Sequence, residues 1–258
     1  MRNPKIRRAL AALMLAPPLC LPMKTQAQTA DGLMPSKTFK FSLTQKRATQ
    51  FLYYLPPGYA PKSHKQWPLL LFLHGAGERG TNVQRVGIHG PLSLVKLGTN
   101  FPFIIVAPLC PAGKQWENDA LLKLLDHVTR EFAVDTSRIY LTGLSMGGYG
   151  TWRLGLAHPE KFAALAPICG GGEVIPIILA KNYETNKLAA MKALGVWAFH
   201  GGKDATVPPE ESERMANALK KAGCADVKLT LYPEANHDSW TETYNHPELY
   251  EWLLKHSR

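Results

Sequence analysis

The sequence predicts an α/β protein: one mostly parallel central sheet flanked by helices, entered through an N-terminal antiparallel hairpin and carrying no large cap domain. Three observations carry this expectation. Apolar runs without polar alternation recur at 68–73, 103–107, 139–141, 162–168 and 196–199, the pattern of strands buried on both faces. Stretches of helical spacing lie between them. The runs end in glycine- or proline-rich turns, as expected where strands alternate with helices in one sheet.

Taken in order, Phe39, Phe41 and Leu43 alternate with polar residues, and 51–55 is a second strand closed by Pro56, Pro57 and Gly58. Residues 38–60 therefore read as the hairpin. The run 68–73 ends in His74-Gly75-Ala76-Gly77-Glu78-Arg79-Gly80, a glycine-rich loop at a buried strand end, where ligands bind in open α/β sheets. Residues 119–132 place Leu121, Leu122, Leu125, Val128 and Phe132 on one helical face, with Asn118 as candidate N-cap. The segment 172–195 has room for a loop and a helix, not for a lid. Residues 210–222 read as a helix stopped by Gly223, 227–232 as a last strand, and 247–255 as a terminal helix.

At 258 residues and 45% hydrophobic, the chain can bury one substantial core. Arg2, Lys5, Arg7 and Arg8 precede an apolar segment, 9–21, and a small-residue stretch containing Ala27 follows. That is the layout of a signal peptide, and it predicts a leader at 1–27, a spacer at 28–37 and a folded domain at 38–258 in a secreted or periplasmic protein. The apolar part is short and broken by Pro17, Pro18 and Pro22, which disfavours a stable membrane anchor. Loss of five basic and no acidic residues with the leader takes the net charge from +10 to +5. The remaining basic residues are scattered, so no nucleic-acid partner is expected. Cys110, Cys169 and Cys224 leave two readings open: a bridge between Cys110 and Cys169, or three buried thiols. No Cys-x-x-Cys or His-x-x-x-His spacing suggests a metal, and no cofactor is expected. Nothing in the sequence sets an oligomeric state.

The chemistry centres on 139–150, IYLTGLSMGGYG. Gly143, Ser145 and Gly147 form the G-x-S-x-G pattern, in which a serine stands exposed on a tight turn between a buried strand and a helix. Acyl transfer by a serine also needs a base, a group that orients the base, and donors for the oxyanion. Asp204 and His237 follow later predicted strands and fall on the same rim, in the order Ser, Asp, His. His74, His200 and His246 compete with His237, and Asp238 and Asp226 with Asp204. His74 and His200 precede Asp204 and sit in His-Gly pairs suited to structural bonds. Asp238 adjoins His237, and Asp226 lies at the opposite rim.

From Phe39 onward the chain resembles the α/β-hydrolases, specifically secreted esterases and dienelactone-hydrolase-like enzymes that include predicted peptidases, phospholipase/carboxylesterases and feruloyl-esterase-like proteins. The resemblance rests on HGAGERG at 74–80, RIYLTGLSMGGYGTW at 138–152, HGGKDATVP at 200–208, and His237. It implies a serine esterase with Ser145 as nucleophile, Asp204 as acid and His237 as base. The oxyanion donors it implies are the backbone N–H groups of Met146 and Ala76, with Gly77 as the alternative to Ala76. Trp116, Tyr149 and Trp240 are candidate substrate-binding aromatics or, alternatively, packing residues. Glu78 and Arg79 are read as an ion pair anchoring the oxyanion loop. The expected substrate is a small or polysaccharide-linked carboxylic ester, feruloyl-type included. A serine peptidase of prolyl-oligopeptidase type is the alternative, and a non-catalytic binding module a more distant one.

Overall fold

The computed structural model describes residues 48–61 and 64–258. The expected leader with cleavage near Ala27, the spacer, and the strand containing Phe39, Phe41 and Leu43 lie outside the described residues.

Seven strands form one sheet among the described residues: β1 (Phe51–Tyr54), β2 (Trp67–Leu73), β3 (Ile104–Pro108), β4 (Val134–Leu144), β5 (Ala164–Ile168), β6 (Gly195–Gly201) and β7 (Val227–Tyr232). Their order is β1-β3-β2-β4-β5-β6-β7. All pairs are parallel except β1 with β3, where Phe51 faces Pro108 and Tyr54 faces Ile105. The second strand of the expected hairpin thus finds its antiparallel partner in β3. The helices are α1 (Pro91–Lys96), α2 (Asn118–Glu131), α3 (Met146–Ala157), α4 (Ile175–Tyr183), α5 (Thr185–Ala193), α6 (Glu210–Lys221), α7 (Trp240–Tyr244) and α8 (Pro247–Leu254).

The apolar runs explain the layering. Every residue of β2, β3 and β5 is buried, and alternate side chains enter opposite cores. Leu69, Leu71 and Leu73 join Leu125 and Val128 of α2, Trp152 of α3 and Met215 of α6 on one face. Leu70 and Phe72 join Phe103, Tyr244, Tyr250 and Leu253 on the other. Truncating one such leucine to alanine typically costs about 2–5 kcal/mol.

Two local expectations are corrected. Asn118 is the first residue of α2, and the cap position falls to Glu117, which has extended backbone. The segment after β5 forms two short helices, α4 and α5, rather than one. Cys110, Cys169 and Cys224 are all free and buried. Cys110 follows β3 and Cys169 follows β5, with β2 and β4 between them. At about 4.8 Å per strand the two lie roughly 14 Å apart, beyond the reach of a disulfide.

Candidate active site

Ser145 follows β4 and caps α3 with φ 53° and ψ −116°, a left-handed conformation that costs a non-glycine residue about 1–3 kcal/mol. The surroundings enforce it. Ser145 N–H donates to Ile168 O at 2.9 Å, with Cys169 Sγ a second acceptor at 3.2 Å. Gly147 is required by space, because a Cβ there would sit 1.9 Å from Leu73 O. The glycines of the motif thus let α3 start against the end of β2.

The serine hydroxyl meets His237 Nε2 at 2.9 Å, and His237 Nδ1 meets Asp204 Oδ2 at 2.7 Å. A carboxylate only accepts, so Nδ1 carries the proton and Nε2 is left to accept from Ser145. Asp204 has no side-chain exposure, whereas His237 retains 22%. Asp204 Oδ1 accepts the N–H groups of Thr206 and Val207, both at 2.9 Å. Burial pushes this carboxyl up, but the bonds from His237, Val207 and Thr206 outweigh it and hold it below its ordinary value. The acid and the base are held by touching loops: Gly202 N–H donates to Tyr232 O at 2.7 Å and Lys203 N–H to Ala235 O at 2.9 Å. A Cβ on Gly201 would sit 2.0 Å from Asn236 O.

Among the described residues, none of the rivals hydrogen-bonds the Ser145 hydroxyl. His74 is buried; its Nδ1 donates to Gly75 O at 2.6 Å and its Nε2 accepts Cys110 N–H at 3.0 Å. Asp238 accepts from Thr241 N–H and Oγ1–H at the start of α7. Asp226 bonds His256 at 2.6 Å. His246 precedes α8, and its buried Nδ1 has no hydrogen-bond partner among the described residues. His200 has a part the sequence reading did not assign: its Nε2 lies 2.9 Å from Val207 O and 3.2 Å from Asp204 Oδ2, while Nδ1 meets Ser212 Oγ at 2.7 Å. The signal was its place four residues ahead of Asp204 in HGGKD.

Met146 opens α3, and Ala76 opens a single 3-10 turn, Ala76–Glu78. The N–H groups of first helical residues have no intrahelical acceptor. The expected Glu78–Arg79 ion pair does not form. Arg79 spends its guanidinium on backbone, donating from Nε to Ala76 O at 3.0 Å and from Nη1 to Lys114 O at 3.1 Å. Arg85 Nη2 donates to Gly77 O at 2.8 Å. Glu78 instead lies 3.9 Å from His74 Nδ1 and 3.9 Å from His89 Nε2.

A cavity of about 420 Å³ opens at Ser145, lined by Gln115, Trp116, Met146, Tyr149, Gly150 and Arg153. Two of the three candidate aromatics line it. Trp116 is buried and donates Nε1–H to His74 O at 3.2 Å. Trp240 is not part of this wall; its ring stands edge-on to His237, centroids 5.5 Å apart.

Residues 116–250 match the model of a family described as phospholipase/carboxylesterase. The chain is 29% identical over 210 residues to a bifunctional acetylxylan esterase/xylanase, XynS20E, of Neocallimastix patriciarum, covering 77% of this chain and 27% of that one. It is 24% identical over 224 residues to poly(3-hydroxyalkanoate) depolymerase C of Paucimonas lemoignei, covering 69% and 53%. The chain therefore spans about a quarter to a half of the length of these curated relatives. A solved structure titled as a thermostable esterase superposes with a TM-score of 0.65 at 32% identity, covering 81% of this chain and 59% of that one.

Proposed function

Because the chain belongs to the phospholipase/carboxylesterase family, we propose that it hydrolyses carboxylic esters through an acyl-enzyme, with Ser145 as nucleophile, His237 as base and Asp204 as the acid that orients it. The observation that carries this reading is the unbroken relay from Ser145 Oγ through His237 to Asp204, at 2.9 and 2.7 Å, opening on a cavity.

Each group has a defined task. His237 Nε2 takes the Ser145 proton as the hydroxyl oxygen attacks the ester carbonyl. Negative charge then develops on the carbonyl oxygen and is met by the N–H groups of Met146 and Ala76; losing one such donor typically costs about 100- to 1,000-fold in turnover. The imidazolium, steadied by ionised Asp204, hands its proton to the leaving alcohol. Water activated by the same histidine then releases the acid. The absence of a cap between β5 and β6 leaves an open cleft, which suits short-chain or polysaccharide-linked acyl esters; a relative named as an acetylxylan esterase supports that class. The basic and apolar character of 1–27 supports export, which N-terminal sequencing of protein recovered from periplasm or medium tests.

The decisive experiment is labelling with a fluorophosphonate, followed by a panel of acetyl, butyryl, feruloyl and peptide substrates. The reading expects one adduct, on Ser145, and ester turnover that disappears in Ser145→Ala. An unlabelled folded protein removes the catalytic reading. Faster turnover of a short peptide amide than of an activated ester moves it to the peptidases.

A further inference from the structure

Ser145, Tyr149 and Arg153 stand at i, i+4 and i+8 along α3, one face of the helix, and all three line the 420 Å³ cavity. At 1.5 Å per residue, Arg153 lies about 12 Å along the axis from Ser145. Trp116 and Gln115, from the loop before α2, line it as well. The helix approaches Trp116 closely because residue 150 is glycine: a Cβ there would sit 2.9 Å from the indole Cδ1. The cleft thus has a hydroxyl nucleophile at one end, aromatic surface in the middle and a cation at the far end.

That cation is held but not neutralised. Arg153 Nη1 donates to Trp116 O at 3.3 Å, which fixes the guanidinium against the wall. Among the described residues no carboxylate ion-pairs with it. Arg138 and Arg214, by contrast, are paired with Asp135 and Glu211 at 2.6 Å each. A guanidinium with spare N–H donors matches the two oxygens of a carboxylate, and the net charge, +10 for the full sequence and +5 without residues 1–27, favours the approach of anions.

Resting on the ester-hydrolase reading, we propose that the far end of this cleft is an anion subsite and that the substrate is an ester bearing a carboxylate about 10 Å from its scissile carbonyl. The carboxylate pairs with Arg153, the spacer lies between Tyr149 and Trp116, and the carbonyl reaches Ser145. Selectivity therefore comes from the length and charge of the part of the ester that fills this cleft.

Matched pairs test this on the full chain at low salt, with kcat/KM as the readout. Monomethyl suberate against methyl octanoate places the charge on the acid side; 6-acetoxyhexanoate against hexyl acetate places it on the alcohol side. The arm that fits the cleft is expected to favour the charged ester by about tenfold or more. Arg153→Gln brings that ratio to about one, and Arg153→Lys keeps part of it. Should the Gln variant fail to fold, the wild-type ratio itself is expected to fall as NaCl screens the pair. Turnover of 4-nitrophenyl acetate with ratios near one in both arms overturns the subsite alone, as does a ratio that survives Arg153→Gln. No turnover of any ester overturns the reading beneath it.

Discussion

At Asp204 Oδ2 two imidazoles converge, His237 at 2.7 Å and His200 at 3.2 Å. Only His237 continues to the serine, so the tautomer it keeps decides the chemistry. An amide at 204 can offer an N–H to His237 Nδ1 and turn the wrong nitrogen toward Ser145. Asp204→Asn is therefore expected to lower kcat by about 10,000-fold. Asp238→Asn, which loses only the bonds to Thr241, should stay within a few-fold of wild type; steady-state ester kinetics on both variants check this. Cys169 is the other reactive-looking group near the nucleophile, yet burial pushes its thiol up to about 12. Iodoacetamide at pH 8 should accordingly leave ester hydrolysis intact, with intact mass showing Cys169 unmodified. The sequence order Ser, Asp, His made the relay legible, because each residue follows a strand on one rim. The second histidine and the destination of Glu78 were not legible, since both depend on side chains folding back onto their own loops. Trp240 stands beside His237 rather than in the cavity wall, because position beside a rim loop does not say which way an indole packs.

At the scale of the element, the oxyanion loop is shaped by backbone carbonyls rather than by charge pairing. Arg79 ties the Ala76 and Lys114 carbonyls together. Arg79→Ala should loosen the turn that presents Ala76 N–H and lower kcat by about tenfold, short of the full loss of a donor, while leaving KM little changed. The loops after β6 and β7 have a similar dependence on Gly201. Gly201→Ala forces a side chain into Asn236 O, moving the acid away from the base. Lower activity together with a lower melting temperature is the expected outcome, measured by calorimetry and kinetics side by side. Helix positions were readable from periodicity in α2 and from the Gly223 stop in α6. The cap of α2 was not, because propensity favoured Asn118 while the chain turned one residue earlier.

The whole molecule carries its pH dependence in buried groups on the strand ends. Desolvation lowers His74, against smaller opposing effects from its bond to Gly75 O and from Glu78. A histidine kept neutral in the fold loses stability as pH falls below its ordinary 6.5, since the imidazolium has no lone pair for Cys110 N–H. Asp204 acts lower: its depressed carboxyl adds stability present above about pH 4 and lost as pH falls through its folded value. The melting temperature is thus expected to drop in two stages between pH 7 and 3, the first stage absent in His74→Asn; calorimetry across that range reads both. Strand identity was legible from apolar runs, but the order β1-β3-β2-β4-β5-β6-β7 was not, because pairing is decided by which covered faces fit. That order has a consequence for synthesis. The proposed nucleophile leaves the ribosome long before the proposed base, which lies beyond the last strand to be made. A chain emerging from its N-terminus therefore presents Ser145 without a proton acceptor until β7 docks on β6, so hydrolytic competence arrives only when the sheet is complete.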